Sequence, residues 1–210
     1  MRASIRFARP ASSAMRCDGL KVLFVVAAGV GAVLGTFQIC LVAFADELGQ
    51  KPMTGVLIAA LAVGSMISGI GWGCVHHWRL PLRHRLAGVL VLLTVLSAPL
   101  MLVHDVWLMV PFVVLAGIAV SPSLISAFTL AEQLVPRAAV TEAFTWIGTA
   151  LALGVAVGAS VAGKIVDISG ANAALSVATV GAAIAAGVVA MTQRALHVPA
   201  EHASAPALAR

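Results

Sequence analysis

The sequence predicts an all-α integral membrane protein with six transmembrane helices. Three observations carry this. The 210 residues are 61% hydrophobic and only 10% charged, with a mean hydropathy of +1.05. A soluble domain of this length carries about a quarter charged residues, because its surface must be wetted. Six uncharged runs divide the chain, and all 13 Lys/Arg and all eight Asp/Glu fall outside them. A charge at the centre of a span costs about 2.5–3.5 kcal/mol on an insertion scale, so this exclusion marks the boundaries. The runs are continuous rather than alternating, which selects helices over barrel strands.

The chain starts with a basic segment, residues 1–21, holding Arg2, Arg6, Arg9, Arg16 and Lys21 against Asp18. Such an arginine- and serine-rich start reads either as a transit peptide or as a cytoplasmic tail. Its weak amphipathic periodicity favours the tail. The spans follow at Val22–Ala45, Met53–Val75, Leu86–Val103, Val106–Ala131, Ala143–Gly163 and Ala171–Met191. Each is near or above the ~20 residues that a helix needs to cross the hydrocarbon. Residues 22–193 thus form one six-helix domain. Residues 194–210, rich in alanine with Pro199 and Pro206, read as a disordered cytoplasmic tail.

The loops set the orientation. One side carries eleven Lys/Arg, from the N-terminal tail, the loop with Arg79, Arg83 and Arg85, Arg137, and the tail with Arg194 and Arg210; the other carries Lys51 and Lys164. The positive-inside rule places both termini in the cytoplasm. Trp72 and Trp78 then fall near the inner interface and Trp107 near the outer one, as anchors do. Trp146 reads as anchor or packing residue. The sequence pI near 9.9 has the same origin, so no nucleic-acid partner is expected. Cys40 and Cys74 lie inside apolar runs and read as reduced small hydrophobes. With Cys17 they make an odd set without metal-ligand spacing, and no metal or cofactor is expected.

Small residues recur at intervals of four: Ser65, Gly69 and Gly73 in the second span, Gly154, Gly158 and Ala162 in the fifth, Ala27, Gly31 and Gly35 in the first, and Ala174, Ala178, Ala182 and Ala186 in the sixth. Such stripes let helices approach closely in lipid. The fourth span contains Pro111 and Pro122, followed by Ser123, Ser126 and Thr129. Proline removes a backbone donor and kinks a helix, and hydroxyls can satisfy freed carbonyls. The first span holds Thr36, Phe37 and Gln38 at mid-depth. Gln38 is read either as one interhelical hydrogen bond or as a cavity lining.

Gly73-Cys74-Val75-His76-His77-Trp78-Arg79 through Arg83-His84-Arg85 is similar to the loop between the second and third helices of a six-helix half of a major facilitator superfamily (MFS) transporter, roughly G-x-x-x-D-R-x-G-R-R. The leading glycine and basic end are kept. The aspartate is missing, with His77 near its place. Gly154, Gly158, Gly163 and Asp167-Ile168-Ser169-Gly170 resemble the ending of the eleventh helix, and Leu134-Val135-Pro136-Arg137 with Glu142-Ala143-Phe144 resembles the preceding loop of bacterial efflux-type members. The resemblance covers about residues 20–193 and implies a C-terminal half, helices seven to twelve, built as two inverted triplets.

That resemblance implies roles. The first and fourth spans would line a central cavity, with Phe37, Gln38, Ser123 and Ser126 as contacts. The second and fifth would pack against another half through Ser65, Gly69, Gly73, Gly154 and Gly158. Gly73, His77, Arg79, Arg83 and Arg85 would form the cytoplasmic signature loop. The implied function is transport of a small solute, by alternating access, as efflux through the inner cell membrane. The implied partners are the lipid bilayer, a second six-helix half (a missing N-terminal half or a second copy) and an unidentified small molecule. An uncharged cavity suits hydrophobic or amphipathic compounds. The alternative is a half-size or truncated protein without transport activity alone, a scaffold or remnant. An enzyme is disfavoured: Ser123 and Ser160 have no in-span histidine to activate them, and no phosphate-binding glycine loop followed by Lys-Ser/Thr occurs. No carboxylate or histidine lies within a span, so a proton carrier at depth would come from elsewhere.

Overall fold

The computed structural model describes residues 18–74 and 82–192. The two terminal tails, Cys17, Trp78 and most of the basic loop lie outside the described residues. Six helices account for nearly all of the rest: α1 (Asp18–Glu47), α2 (Met53–Cys74), α3 (Leu82–Ser97), α4 (Val106–Leu134), α5 (Val140–Ser169) and α6 (Ala171–Met191). Each is long and apolar enough to cross a membrane once the 3-10 turn that extends α3 is counted with it, and no strand occurs among the described residues. The chain is a multi-pass membrane protein.

Several helices outrun their apolar stretches. The sequence placed the first span at residues 22–45 and the fifth at 143–163, but α1 begins at Asp18 and α5 runs from Val140 to Ser169. An apolar run measures the hydrocarbon, whereas backbone hydrogen bonding continues into the interface, where charge is tolerated. Lys21 is exposed on the first turns of α1. The third span divides instead. α3 stops at Ser97, and a 3-10 turn, Ala98–Leu102, starts with Pro99 in its first turn, where the missing N–H costs little. Asp105 then caps α4, its carboxylate accepting from the Trp107 and Leu108 amides at 2.7 and 3.3 Å. Pro122 lies buried inside α4, and the Ser123 hydroxyl donates to the Ala119 carbonyl at 2.7 Å. That carbonyl neighbours the one Pro122 leaves without a donor, so the expected compensation falls one residue away.

The buried side chains form two layers stacked along the helix axes. One joins the C-terminal ends of α1 and α3 to the N-terminal ends of α2, α4 and α6, with Phe37, Leu41, Leu57, Leu100, Met109 and Leu175 among its members. The other joins the opposite ends of α1, α3, α4 and α6 to the start of α5, with Leu23, Leu90, Leu130, Ile147 and Val189. Odd and even helices therefore run in opposite directions. The first layer is called the Glu47 end and the second the Lys21 end.

The most extensive helix contact is α1 with α5, followed by α2 with α4; α1 also packs on α6, as α4 does on α3. Exchanging α1, α2 and α3 for α4, α5 and α6 maps these pairs onto one another, with α1 and α4 pointing oppositely. This is the pattern of two inverted three-helix repeats.

Candidate functional site

The α1–α5 contact is a ladder of small residues. A methyl added to Gly31 or Gly35 would overlap the Leu151 or Val155 carbonyl oxygen, and one on Gly154 or Gly158 would overlap that of Ala28 or Ala32. The residue numbers rise together, so the two helices are parallel. Their backbones touch because both partners lack a Cβ at the crossing, and dispersion between close backbones replaces the hydrophobic drive that lipid removes. The Thr36 hydroxyl reinforces this contact, donating to its own Ala32 carbonyl at 2.8 Å and reaching the Gly158 carbonyl at 3.5 Å. The α2–α4 contact has one such crossing. Gly64 meets the Val114 carbonyl and Gly117 meets Leu61 and the Ser65 amide.

These contacts correct one expectation. Gly154 and Gly158 are buried against α1 within the six-helix unit and cannot form an interface with another half. Ser65 lies on the α4 side, Gly69 faces Ser121, and a Cβ on Gly73 would meet nothing within 4 Å. A second expectation divides. Phe37, Ser123 and Ser126 are at most 1% exposed and present no surface to an outside occupant. Gln38, the next residue along α1, is exposed and has no hydrogen-bond partner among the described residues. The four proposed cavity contacts therefore do not share one open surface.

A row of hydroxyls on α5 was not anticipated. Thr145, Thr149 and Ser160 are exposed, and each donates to the carbonyl four residues back, Thr141, Thr145 and Ala156, at 2.9, 2.9 and 2.7 Å. Ala152 and Ala156 are exposed between them. The four-residue interval of Thr141, Thr145 and Thr149 was readable in the sequence. Among the described residues, these and Gln38 are the exposed polar side chains within the apolar spans. The exposed mid-span residues of α3 and α6 are Gly88, Val91, Leu92, Val95, Val180, Ala183, Ile184 and Gly187, all apolar or without a side chain.

Two edge-to-face aromatic pairs flank the start of α5. Phe24 of α1 meets Trp146 with ring centres 6.3 Å apart, and Phe128 of α4 meets Phe144 at 5.3 Å. Trp146 is both a packing residue and, at 38% exposure, a surface one. Of the signature loop, His77 and Arg79 lie outside the described residues, Arg83 falls in the first turn of α3, and the Arg85 guanidinium stands 5.1 Å from the centre of the Trp72 ring. This cation–π contact joins the end of α2 to the start of α3. Among the described residues no group of three or more His, Cys, Asp or Glu converges as a metal site would require.

An open pocket of about 380 Å³ lies at the Glu47 end, lined by Ala43, Asp46, Glu47 and Val166. Asp46 pairs with Lys51 at 3.1 Å, with both side chains largely in solvent, a contact worth about 0–1 kcal/mol. Glu47 instead accepts from the Ala171 amide at 2.8 Å.

The inverted helix triplets, close small-residue crossings and single polar face define a six-helix transporter-type bundle. The profile of the Major Facilitator Superfamily matches residues 21–208, and the chain belongs to that family. Membership assigns it to membrane transport of small solutes rather than to enzymes. No curated protein matches the sequence.

Proposed function

We propose that this chain is one six-helix half of a secondary transporter, corresponding to the C-terminal half. It exports a small hydrophobic or amphipathic solute across the inner cell membrane by rocking against a second six-helix half. Both termini face the cytoplasm, so the Glu47 end is the outer one. The observation that supports this is the one-sided placement of exposed polarity within the spans. Gln38, Thr145, Thr149 and Ser160 all lie on α1 and α5, while α3 and α6 turn apolar surface outward. Polar side chains at bilayer depth face other helices or a watery cavity. The partner half and the solute path therefore belong on the α1–α5 face, and lipid belongs on α3 and α6. Gln38 is the solute-path contact this reading retains; Phe37, Ser123 and Ser126 are buried within the bundle.

The test is cross-linking in native membranes, with the natural cysteines replaced by serine. Thr149→Cys carrying a benzophenone maleimide on its thiol is expected, on illumination, to trap a covalent species above the 21.4 kDa monomer, while Ile184→Cys on α6 carrying the same probe does not. Equal cross-linking at both positions, or none at Thr149, would count against a partner on the α1–α5 face. Mass spectrometry of the trapped species then distinguishes a second copy from a separate half. Export is tested by ethidium accumulation in cells expressing the chain with that partner. Accumulation is expected to fall, and unchanged accumulation would sink the efflux reading.

A further inference from the structure

α1 ends on two carboxylates, Asp46 and Glu47. This is the wrong end of a helix for negative charge, because its unpaired carbonyls are already negative. Each acid has a compensation elsewhere. Asp46 finds Lys51, and Glu47 crosses to the turn between α5 and α6. That turn is a single residue, Gly170, with φ 84° and ψ 171°, a region open essentially to glycine alone. The α6 N-terminus has no side-chain cap from its own N-cap residue. Glu47, 124 residues from Ala171, supplies the acceptor instead. A Cβ on Gly170 would stand in ordinary contact with Glu47 Oε1, at 3.4 Å, so it is the positive φ of the turn, and not room for the carboxylate, that asks for glycine here.

We propose that Glu47 is a clasp that fixes the outer end of α1 to the α5–α6 turn, holding α1, α5 and α6 as one block. The charged carboxylate serves two needs at once, the orphan amide at Ala171 and the positive end of α6. Below it the same three helices are joined by the α1–α5 ladder and by Gly29 against Ala185 of α6. Movement of α1 away from α5 and α6 at this end therefore requires release of this contact. The clasp stands on geometry, and its role in letting the block move as a unit against the partner half rests on the transport reading above.

The chain carries its own reporters. Cys40, two turns below Glu47 on α1, is fully buried in the layer at that end, whereas Cys74 is exposed. The experiment uses the full chain in nanodiscs of phosphatidylcholine and phosphatidylglycerol, pulsed with N-ethylmaleimide, with labelling at each cysteine read by peptide mass spectrometry. It needs no solute, so its failure would leave the transport reading standing, and the reverse. In the natural sequence Cys74 labels and Cys40 is protected. Glu47→Ala is expected to raise the Cys40 rate about tenfold while Cys74 stays within about twofold. Glu47→Gln, which keeps an acceptor but no charge, is expected to raise it by a smaller factor, and it decides the matter if the alanine variant does not fold. Gly170→Ala is expected to act like Glu47→Ala. Asp46→Asn removes the same charge from the same turn and is expected to leave Cys40 protected. Unchanged protection in Glu47→Gln, or equal exposure in Asp46→Asn, overturns the clasp.

Discussion

α2 and α5 hold equivalent places in the two repeats, yet the bundle grips them differently. α5 buries Ala143, Ile147, Ala150, Gly154, Gly158 and Ala162, a line along most of its length. α2 buries only Leu57, Ala60 and Gly64, none beyond its midpoint by more than one residue. Beyond Gly64 it exposes Met66, Ile67 and Ile70 at 59, 56 and 64%. It contributes nothing to the buried layer at the Lys21 end. The cause is the number of positions without a Cβ. Four glycines in register bring α1 and α5 together over two turns, while one crossing of Gly64 with Gly117 holds α2 to α4. Topological equivalence therefore does not set the strength of packing. The second half of α2 is apolar surface that lipid or another helix must cover, while α5 offers a narrow hydroxyl and alanine face.

The largest effect expected from this difference lies in the glycine ladder. Gly158→Ala places a methyl against the Ala32 backbone, and a helix backbone has no rotamer by which to yield. Overpacking of this kind costs about 1–3 kcal/mol, and Gly154→Ala with Gly158→Ala is expected to exceed either alone. Gly163→Ala on the same helix, where a Cβ meets nothing within 4 Å, is expected to be neutral. Denaturation in mixed micelles measures all of them. If Gly163→Ala cost as much as Gly158→Ala, close backbone approach would not be what joins α1 to α5.

A smaller effect concerns α2 itself. Its second half has few buried contacts, and local opening free energy falls with contact density. In detergent micelles, amides of residues 66–74 are expected to exchange at least about tenfold faster than those of residues 147–158 in α5. Equal protection would mean that the backbone ladder of α2 alone suffices and that the contrast in packing has no dynamic consequence.

How far the sequence reveals this follows from what each signal measures. Charge exclusion measures hydrocarbon depth, so all six spans and their order were legible, while helix ends beyond the hydrocarbon were not. Lys21 and Lys164 lie inside α1 and α5 because a long cation can reach the interface. The small-residue stripes told which face of a helix permits close approach but not which helix meets it. Hence the stripe of Gly154 and Gly158 suggests packing against another half, and the structure packs it against α1. Phe37 and Gln38 show the same gap at single-residue scale: neighbours in sequence, about 100° apart around a helix, one buried and one exposed. The acceptor role of Glu47 depends on an amide 124 residues away, which no local pattern in the sequence shows.

The smallest expected effect separates the two sides of the bundle by their caps. α4, the partner of α2, starts on Asp105, whose carboxylate satisfies two amides, whereas Ala139 at the start of α5 offers no side-chain cap. Asp105→Ala is expected to cost about 1 kcal/mol, expressed as faster exchange in the first turn of α4 and in the facing first half of α2. The α1–α5 ladder, on other helices, is expected to keep its protection. An effect spread evenly over all six helices would show that the bundle opens only as a whole. In that case the weak hold on α2 would be a matter of exposed area and not of a separable unit.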